Sequence, residues 1–275
     1  MTPEPGHETK PARNAWTLIG IDCATDEERM GLARGRLEPD GSLTVERVTL
    51  GTAGESAAAS VSQWIAGSKH FVVAFDAPLG WPARLASSLA RHRAGERLDL
   101  LPDELFRRQT DKLVHAQLRK RPPEMGADRI ARTGLAALAL LAEVRQLASQ
   151  PLPLAWKQGE ESGVIECFPA ATLLARHLTG VYRARTGPGR KARGEILDRL
   201  ASDVAFGSTR DVMIEDPNLF DAMVCVLAGA DYAQGLCVEP TDRTLAQQEG
   251  FIWFRSSGQR QLAYGRVDSE PEPGR

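Results

Sequence analysis

The stretch Val72-Val73-Ala74-Phe75-Asp76-Ala77-Pro78-Leu79-Gly80-Trp81-Pro82 limits most sharply what this chain can become. A run of β-branched and aromatic residues bounded by Pro and Gly predicts a buried strand. Pro78 and Pro82 cannot continue a ladder, so the backbone must leave the sheet just after Asp76. An acid at the carboxyl end of a buried strand stands where open α/β sheets place their ligands. The plainer reading makes Asp76 the cap of the following turn.

A second strand of the same design precedes it. Trp16-Thr17-Leu18-Ile19-Gly20-Ile21-Asp22 is apolar and also ends in an acid. Segments Glu28–Leu37 and Leu43–Leu50 follow, joined by Pro39-Asp40-Gly41-Ser42, an Asp-Gly hairpin signal. The chain therefore opens as a three-stranded antiparallel meander. An amphipathic helix over Glu55–Ala66 then leads into the Asp76 strand, and a crossover of this kind sets the two strands parallel. Parallel pairing brings Asp22 and Asp76 together, and two carboxylates so close need a cation or a raised pKa.

Composition changes from about residue 84 to 132, where arginines and lysines outnumber acids and Pro102, Pro122 and Pro123 break the segment. This reads as a basic helical and loop insertion over the active edge, or as a solvated charged face. Within it, Arg108-Gln109-Thr110-Asp111 places a cation and an acid at i, i+3 on one helix face. Ala127–Gln150 is a long Ala/Leu-rich helix, and Val164–Pro169 a fifth strand that contains Glu166. Helices over Ala170–His177 and Arg190–Leu200 follow, with a second basic cluster at Arg183, Arg185, Arg190, Lys191 and Arg193. Asp216-Pro217 caps a helix running to about Gln234 that is apolar all round except for Asp221. A carboxylate in a buried helix must be paired or bind a cation, unless it only extends the cap. Phe251–Phe254 is read as a small edge strand or hydrophobic clasp.

Overall make-up narrows the class. The 275 residues, 42% hydrophobic and 25% charged, describe an ordinary globular protein. A formal charge of −2 offers no global attraction for nucleic acid or an anionic membrane. Cys23, Cys167, Cys225 and Cys237 have no metal-binding or redox spacing and read as buried thiols of a reducing cytosol. The polar, proline-rich start is unlike a signal peptide, and Leu135–Ala142 is too short to cross a membrane. A cytoplasmic location is expected, with homo-oligomerisation left open. Residues 1–13 and 265–275 read as disordered tails around one domain over residues 14–264.

Asp22, Asp76, Asp221 and Glu166 thus stand at strand ends or in a buried helix as candidate catalytic acids. Carboxylate oxygens without His or Cys suit Mg²⁺ or Mn²⁺, which activate water in phosphodiester cleavage. The histidines do not fall at ligand spacing, and no phosphate-binding glycine loop or nucleophile elbow is present. The set Gly20-Ile21-Asp22, Phe75-Asp76-Ala77-Pro78-Leu79, Arg108-Gln109-Thr110-Asp111, Glu166-Cys167-Phe168-Pro169 and Asp221-Ala222, followed by Glu249-Gly250-Phe251-Ile252, resembles domain-of-unknown-function family 429. Its members are described as predicted nucleases of the ribonuclease H fold.

The resemblance spans about Trp16 to Phe254. It implies a mixed five-stranded sheet of order 3-2-1-4-5 with helices on both faces. It places Asp22, Asp76 and Asp221 at the presumed metal positions, comparable in role to the acids of RuvC-like resolvases. Asn218 departs from that pattern, standing one turn before Asp221 where those enzymes often carry a second acid or His. Glu166 matches the family motif either as a catalytic acid or as an anchor for basic residues. A nuclease would bring Arg108, Asp111, Arg183, Arg190 and Lys191 to its nucleic-acid substrate. The competing expectations are a nucleotide-binding protein, since sugar kinases and actin-like ATPases also begin Gly-Ile-Asp-x-x-Thr, and a catalytically silent binding protein.

Overall fold

A computed structural model of the chain describes residues 14–51, 54–126 and 128–256. The tails expected at residues 1–13 and 265–275 lie outside these described residues. The strands are β1 (Trp16–Asp22), β2 (Gly31–Leu37), β3 (Leu43–Leu50), β4 (Phe71–Asp76), β5 (Gly163–Glu166) and β6 (Val204–Ala205). β1, β2 and β3 form the antiparallel meander, while β4 lies parallel to β1 and β5 parallel to β4.

The sheet has six strands in the order 5-4-1-2-3-6, not the five of the expected 3-2-1-4-5 order. The five expected strands keep their neighbours. The difference is β6, a two-residue strand that pairs parallel with the start of β3. Two residues between helices show no alternation, so no periodicity could reveal it. The second strand begins at Gly31 instead of Glu28, because Glu27–Arg29 forms a 3-10 turn capped by Asp26.

Helices cover both faces. On one lie α1 (Ala57–Ile65) and α5 (Asp128–Leu147), packed against Ile19, Ile21, Val73 and Phe75. On the other lie α6 (Pro169–Ala175), α7 (Gly187–Leu200) and α9 (Pro217–Ala233), over Trp16, Leu18, Val72 and Ala74. Alternation along β1 and β4 therefore turns the even-numbered side chains toward α9, and this parity includes Asp22 and Asp76. The basic segment after β4 folds as α2 (Ala83–Leu89), α3 (Pro102–Leu105), α4 (Gln109–Leu118) and the first turns of α5. The remaining helices, α8 (Arg210–Glu215) and α10 (Arg243–Glu249), had no counterpart among the sequence expectations.

α9 is the organising element. Asp216 accepts a hydrogen bond from the Asn218 backbone N–H at 2.7 Å and Pro217 opens the first turn. The helix is buried on every side and lies on β1, β2 and β4. Its approach is close because β1 and β2 offer glycine beneath it. A Cβ on Gly20 would stand 2.0 Å from the Ala222 carbonyl oxygen, and one on Gly31 would stand 2.1 Å from that of Asn218. The expected clasp is present: Trp253 N–H donates to the Glu166 carbonyl at 2.9 Å, and Phe251 and Trp253 are buried. Among the described residues no helix is long and apolar enough to cross a membrane. All four cysteines are free and buried.

Candidate functional site

In the parallel register of β1 and β4, Asp22 and Asp76 are direct partners at the carboxyl ends of both strands. The glycine-lined seat of α9 brings Asp221 over them. One carboxylate oxygen from each of Asp22, Asp76 and Asp221 lies within 4.8 Å of the others. These three form the floor of a cavity of about 630 Å³, within the usual range for a small-molecule or nucleotide site.

The three acids cannot all ionise cheaply. Burial raises the Asp22 carboxyl well above its usual range, and repulsion from Asp76 and Asp221 adds to this. Burial pushes Asp76 up to about 7, against the opposing pull of Arg183 and with Asp221 adding to the rise. Asp221 is raised to about 6 by burial, again with Arg183 opposing. Asp221 Oδ1 is buried without a hydrogen-bond partner, as is the Tyr182 hydroxyl near it, an arrangement that costs free energy unless that hydroxyl, a proton or a cation supplies the missing contact. Three hard oxygen donors with one orphaned lone pair fit Mg²⁺ or Mn²⁺.

Of the expected substrate-binding residues, Arg108 and Arg183 line the cavity, and Arg183 is paired with the aspartates. Its Nη2 lies 3.1 Å from Asp76 Oδ2 and 2.8 Å from Asp221 Oδ2. Arg190 and Lys191 do not line the cavity. They stand on α7, paired with Glu215 at 2.9 Å and Glu195 at 3.7 Å. α7 begins at Gly187, earlier than expected, and carries these two side chains away from the sheet edge.

Glu166 and Arg108 also line the cavity, and with Asp111 they form a buried ion-paired unit, which matches the anchoring alternative read for Glu166. Their side chains are at most 3% exposed and bound to one another. Arg108 donates to both Glu166 oxygens at 2.8 and 2.7 Å and to Asp111 at 2.9 and 3.3 Å. Glu166 also accepts from the Leu79 N–H at 3.0 Å, and Asp111 from the Arg108 N–H at 2.9 Å. No donor of that guanidinium is left for a phosphate, and Glu166 is not a member of the three-acid cluster. The three side chains are engaged with one another and with local backbone. They tie the exit of β4, the end of β5 and the first turn of α4 into one unit behind Asp76. Glu249 completes the tie by accepting from the Ala83 and Gln109 N–H groups, each at 2.8 Å.

Several further arginines line the cavity; of these, Arg185 belongs to the second basic cluster read from the sequence, while the others were not read as site residues. Arg29, Arg129, Arg132 and Arg185 line the wall above the acids, beside Pro122 and Pro123. Arg129 and Arg132 stand at i, i+3 near the start of α5 and so share a face, a signal the sequence did carry. Arg29 sits on the 3-10 turn after β1, where sequence offers no periodicity. Asn218 also lines the cavity, but its side-chain amide donates to the Arg29 carbonyl at 2.9 Å and supplies no extra acid. Gly20, which opens the Gly-Ile-Asp-x-x-Thr run shared with the nucleotide-binding alternative, faces the backbone of α9.

The fold and site define an α/β protein with three aspartates clustered at the carboxyl edge of a mixed sheet, beneath an arginine-lined cavity. The chain belongs to the family described as Protein of unknown function (DUF429), whose model matches residues 20–245. No curated protein and no solved structure matches it.

Proposed function

We propose that this protein is a divalent-cation-dependent nuclease that hydrolyses phosphodiester bonds in DNA or RNA. The observation that carries the reading is the cluster of Asp22, Asp76 and Asp221, a donor set of hard oxygens at the edge where α/β sheets hold ligands. A ribonuclease H-like fold is the finer reading, supported by the 5-4-1-2-3 core of the sheet and by α9 lying across β1. Asp22, Asp76 and Asp221 would hold Mg²⁺ or Mn²⁺, which when bound supplies a Lewis acid for activating water and offsetting charge on the leaving oxygen.

The chain's own residues do the rest. Arg29, Arg129, Arg132 and Arg185 line the wall where an anionic backbone would lie, and their guanidinium groups suit phosphate. The Arg108–Glu166–Asp111 unit holds the β4 exit so that Asp76 stays at the edge. Water attacks phosphorus, the bond to the leaving oxygen breaks, and the leaving oxygen takes up a proton.

The test is cleavage of single- and double-stranded DNA and RNA by purified full-length protein with Mg²⁺ or Mn²⁺. Cleavage is expected with the ion and not with a chelator. Asp76→Asn should lower the rate at least about a hundredfold. Equal cleavage by wild type and variant, or none by either, would overturn the proposal.

A further inference from the structure

The Arg183 guanidinium bridges two of the three clustered aspartates. One guanidinium nitrogen lies within hydrogen-bond distance of an oxygen from Asp76 and of another from Asp221. Yet the side chain is 57% exposed, unlike the fully buried Arg108 and Arg193. Backbone motion is restrained on both sides of it. Buried Arg193 donates to the Tyr182 carbonyl, and to the Ala184 carbonyl at 3.0 Å. The Tyr182 ring packs on Phe220 of α9, with centroids 5.3 Å apart. Gly189 adds to the restraint, since a Cβ there would meet the Ala184 carbonyl at 1.8 Å. A fixed backbone carrying an exposed, flexible cation can change state by side-chain rotation alone.

The pairing is also incomplete. Asp221 gives Oδ2 to Arg183, while its buried Oδ1 and the Tyr182 hydroxyl near it both lack a partner. A guanidinium donates along fixed directions, so it leaves this lone pair unanswered, whereas a metal ion can draw oxygens from several sides. A metal ion and the Arg183 guanidinium would need the same carboxylate oxygens, and two cations at that separation repel.

We propose that Arg183 is a built-in competitor for the divalent-ion site. It neutralises Asp76 and Asp221 when the ion is absent and rotates out into the cavity when the ion binds. There its guanidinium joins Arg185 in facing the substrate's phosphate. The inference rests on the three aspartates being a divalent-cation site. It makes ion occupancy and substrate binding interdependent, because the ion releases an arginine for the anion.

The experiment is calorimetric titration of Mn²⁺ into the full-length wild type, Arg183→Gln and Arg183→Lys, at about pH 8 so that protons do not stand in for the ion. Removing the competitor should tighten Mn²⁺ binding about tenfold in Arg183→Gln, with Arg183→Lys in between because its ammonium still competes. In the wild type, the Arg183 Nε–Hε resonance, assigned from the Arg183→Lys spectrum, should shift as Mg²⁺ is added. Unchanged or weaker Mn²⁺ binding by Arg183→Gln, or a stationary resonance while Mg²⁺ binds, would overturn the competitor alone. Absence of Mn²⁺ binding by all three proteins would overturn the metal site itself, and the competitor with it.

Discussion

Replacing Arg108 by Met should destabilise the protein by about 3–5 kcal/mol, lowering its melting temperature by roughly 10 °C. The guanidinium is 2% exposed and holds two acids that are themselves buried, Glu166 at 3% and Asp111 at 1%. Taking three charges out of water is expensive, and their mutual attraction repays it only while all three are present. Without Arg108, Glu166 and Asp111 face each other with no cation. Burial already pushes the Glu166 carboxyl up and Arg108 is the main opposing influence, so its removal leaves protonation as the remaining relief. The loss should therefore shrink as pH falls from about 8 to about 5. Thermal melts of wild type and Arg108→Met across that range check both statements. A loss that does not change with pH would mean the cost is one of packing.

The second large effect is expected at Gly20. A methyl group there would meet the Ala222 carbonyl oxygen at 2.0 Å and the Val226 nitrogen at 2.8 Å. These are backbone atoms of a helix buried on all sides, so no flexible side chain can give way. Gly20→Ala should cost about 3 kcal/mol or more, the upper part of the range for overpacking. It should also lift Asp221, the residue next to Ala222, away from Asp22. Gly229, on the same helix, is the control. A Cβ there would meet Leu18 and Val72 side chains at 3.6 Å, ordinary contact. Gly229→Ala should leave stability within about 1 kcal/mol or raise it slightly, since Ala favours helix. Chemical denaturation of the two variants separates close approach from a general intolerance of change. Equal losses would contradict the account of how α9 is seated.

Much of this was legible in the sequence because the signals were local and repeated. The β1 and β4 runs each end in an acid, and an Asp-Gly turn marks the hairpin between β2 and β3. An Asp-Pro start marks α9. Given a parallel crossover, the pairing of Asp22 with Asp76 follows from strand periodicity. Asp221 was visible as a charge in an apolar helix.

What the sequence concealed was how buried charges are shared out. Arg108-Gln109-Thr110-Asp111 and Glu166-Cys167-Phe168-Pro169 look like chemistry, since exposed and buried arginines read alike in a string of letters. Only the meeting of α4 with the end of β5, 58 residues apart in sequence, shows that the two motifs consume one another. The same limit explains the basic cluster. Arg183 and Arg190 are seven residues apart, yet the α7 start at Gly187 sends one to the aspartates and the other to Glu215. Arg29 reaches the cavity through a capped 3-10 turn, and β6 is too short to carry a pattern.

The central claim is that Asp22, Asp76 and Asp221 form a site that needs a cation at neutral pH. Raised carboxyls favour the folded state while protonated and lose that contribution as pH rises through their folded pKa values. For Asp76 and Asp221 those values are about 7 and about 6, against an ordinary 3.8. Ion-free protein should therefore lose stability, on the order of a few kcal/mol, between about pH 4 and pH 7. The decisive measurement is unfolding free energy at about pH 5 and about pH 8, with and without Mn²⁺, for wild type and Asp221→Asn. The account predicts that ion-free wild type is weaker at the higher pH. Mn²⁺ at a hundred times its Kd should then restore about 2.7 kcal/mol, a gain that Asp221→Asn loses. No Mn²⁺ gain at the higher pH, or an equal gain in Asp221→Asn, would contradict it.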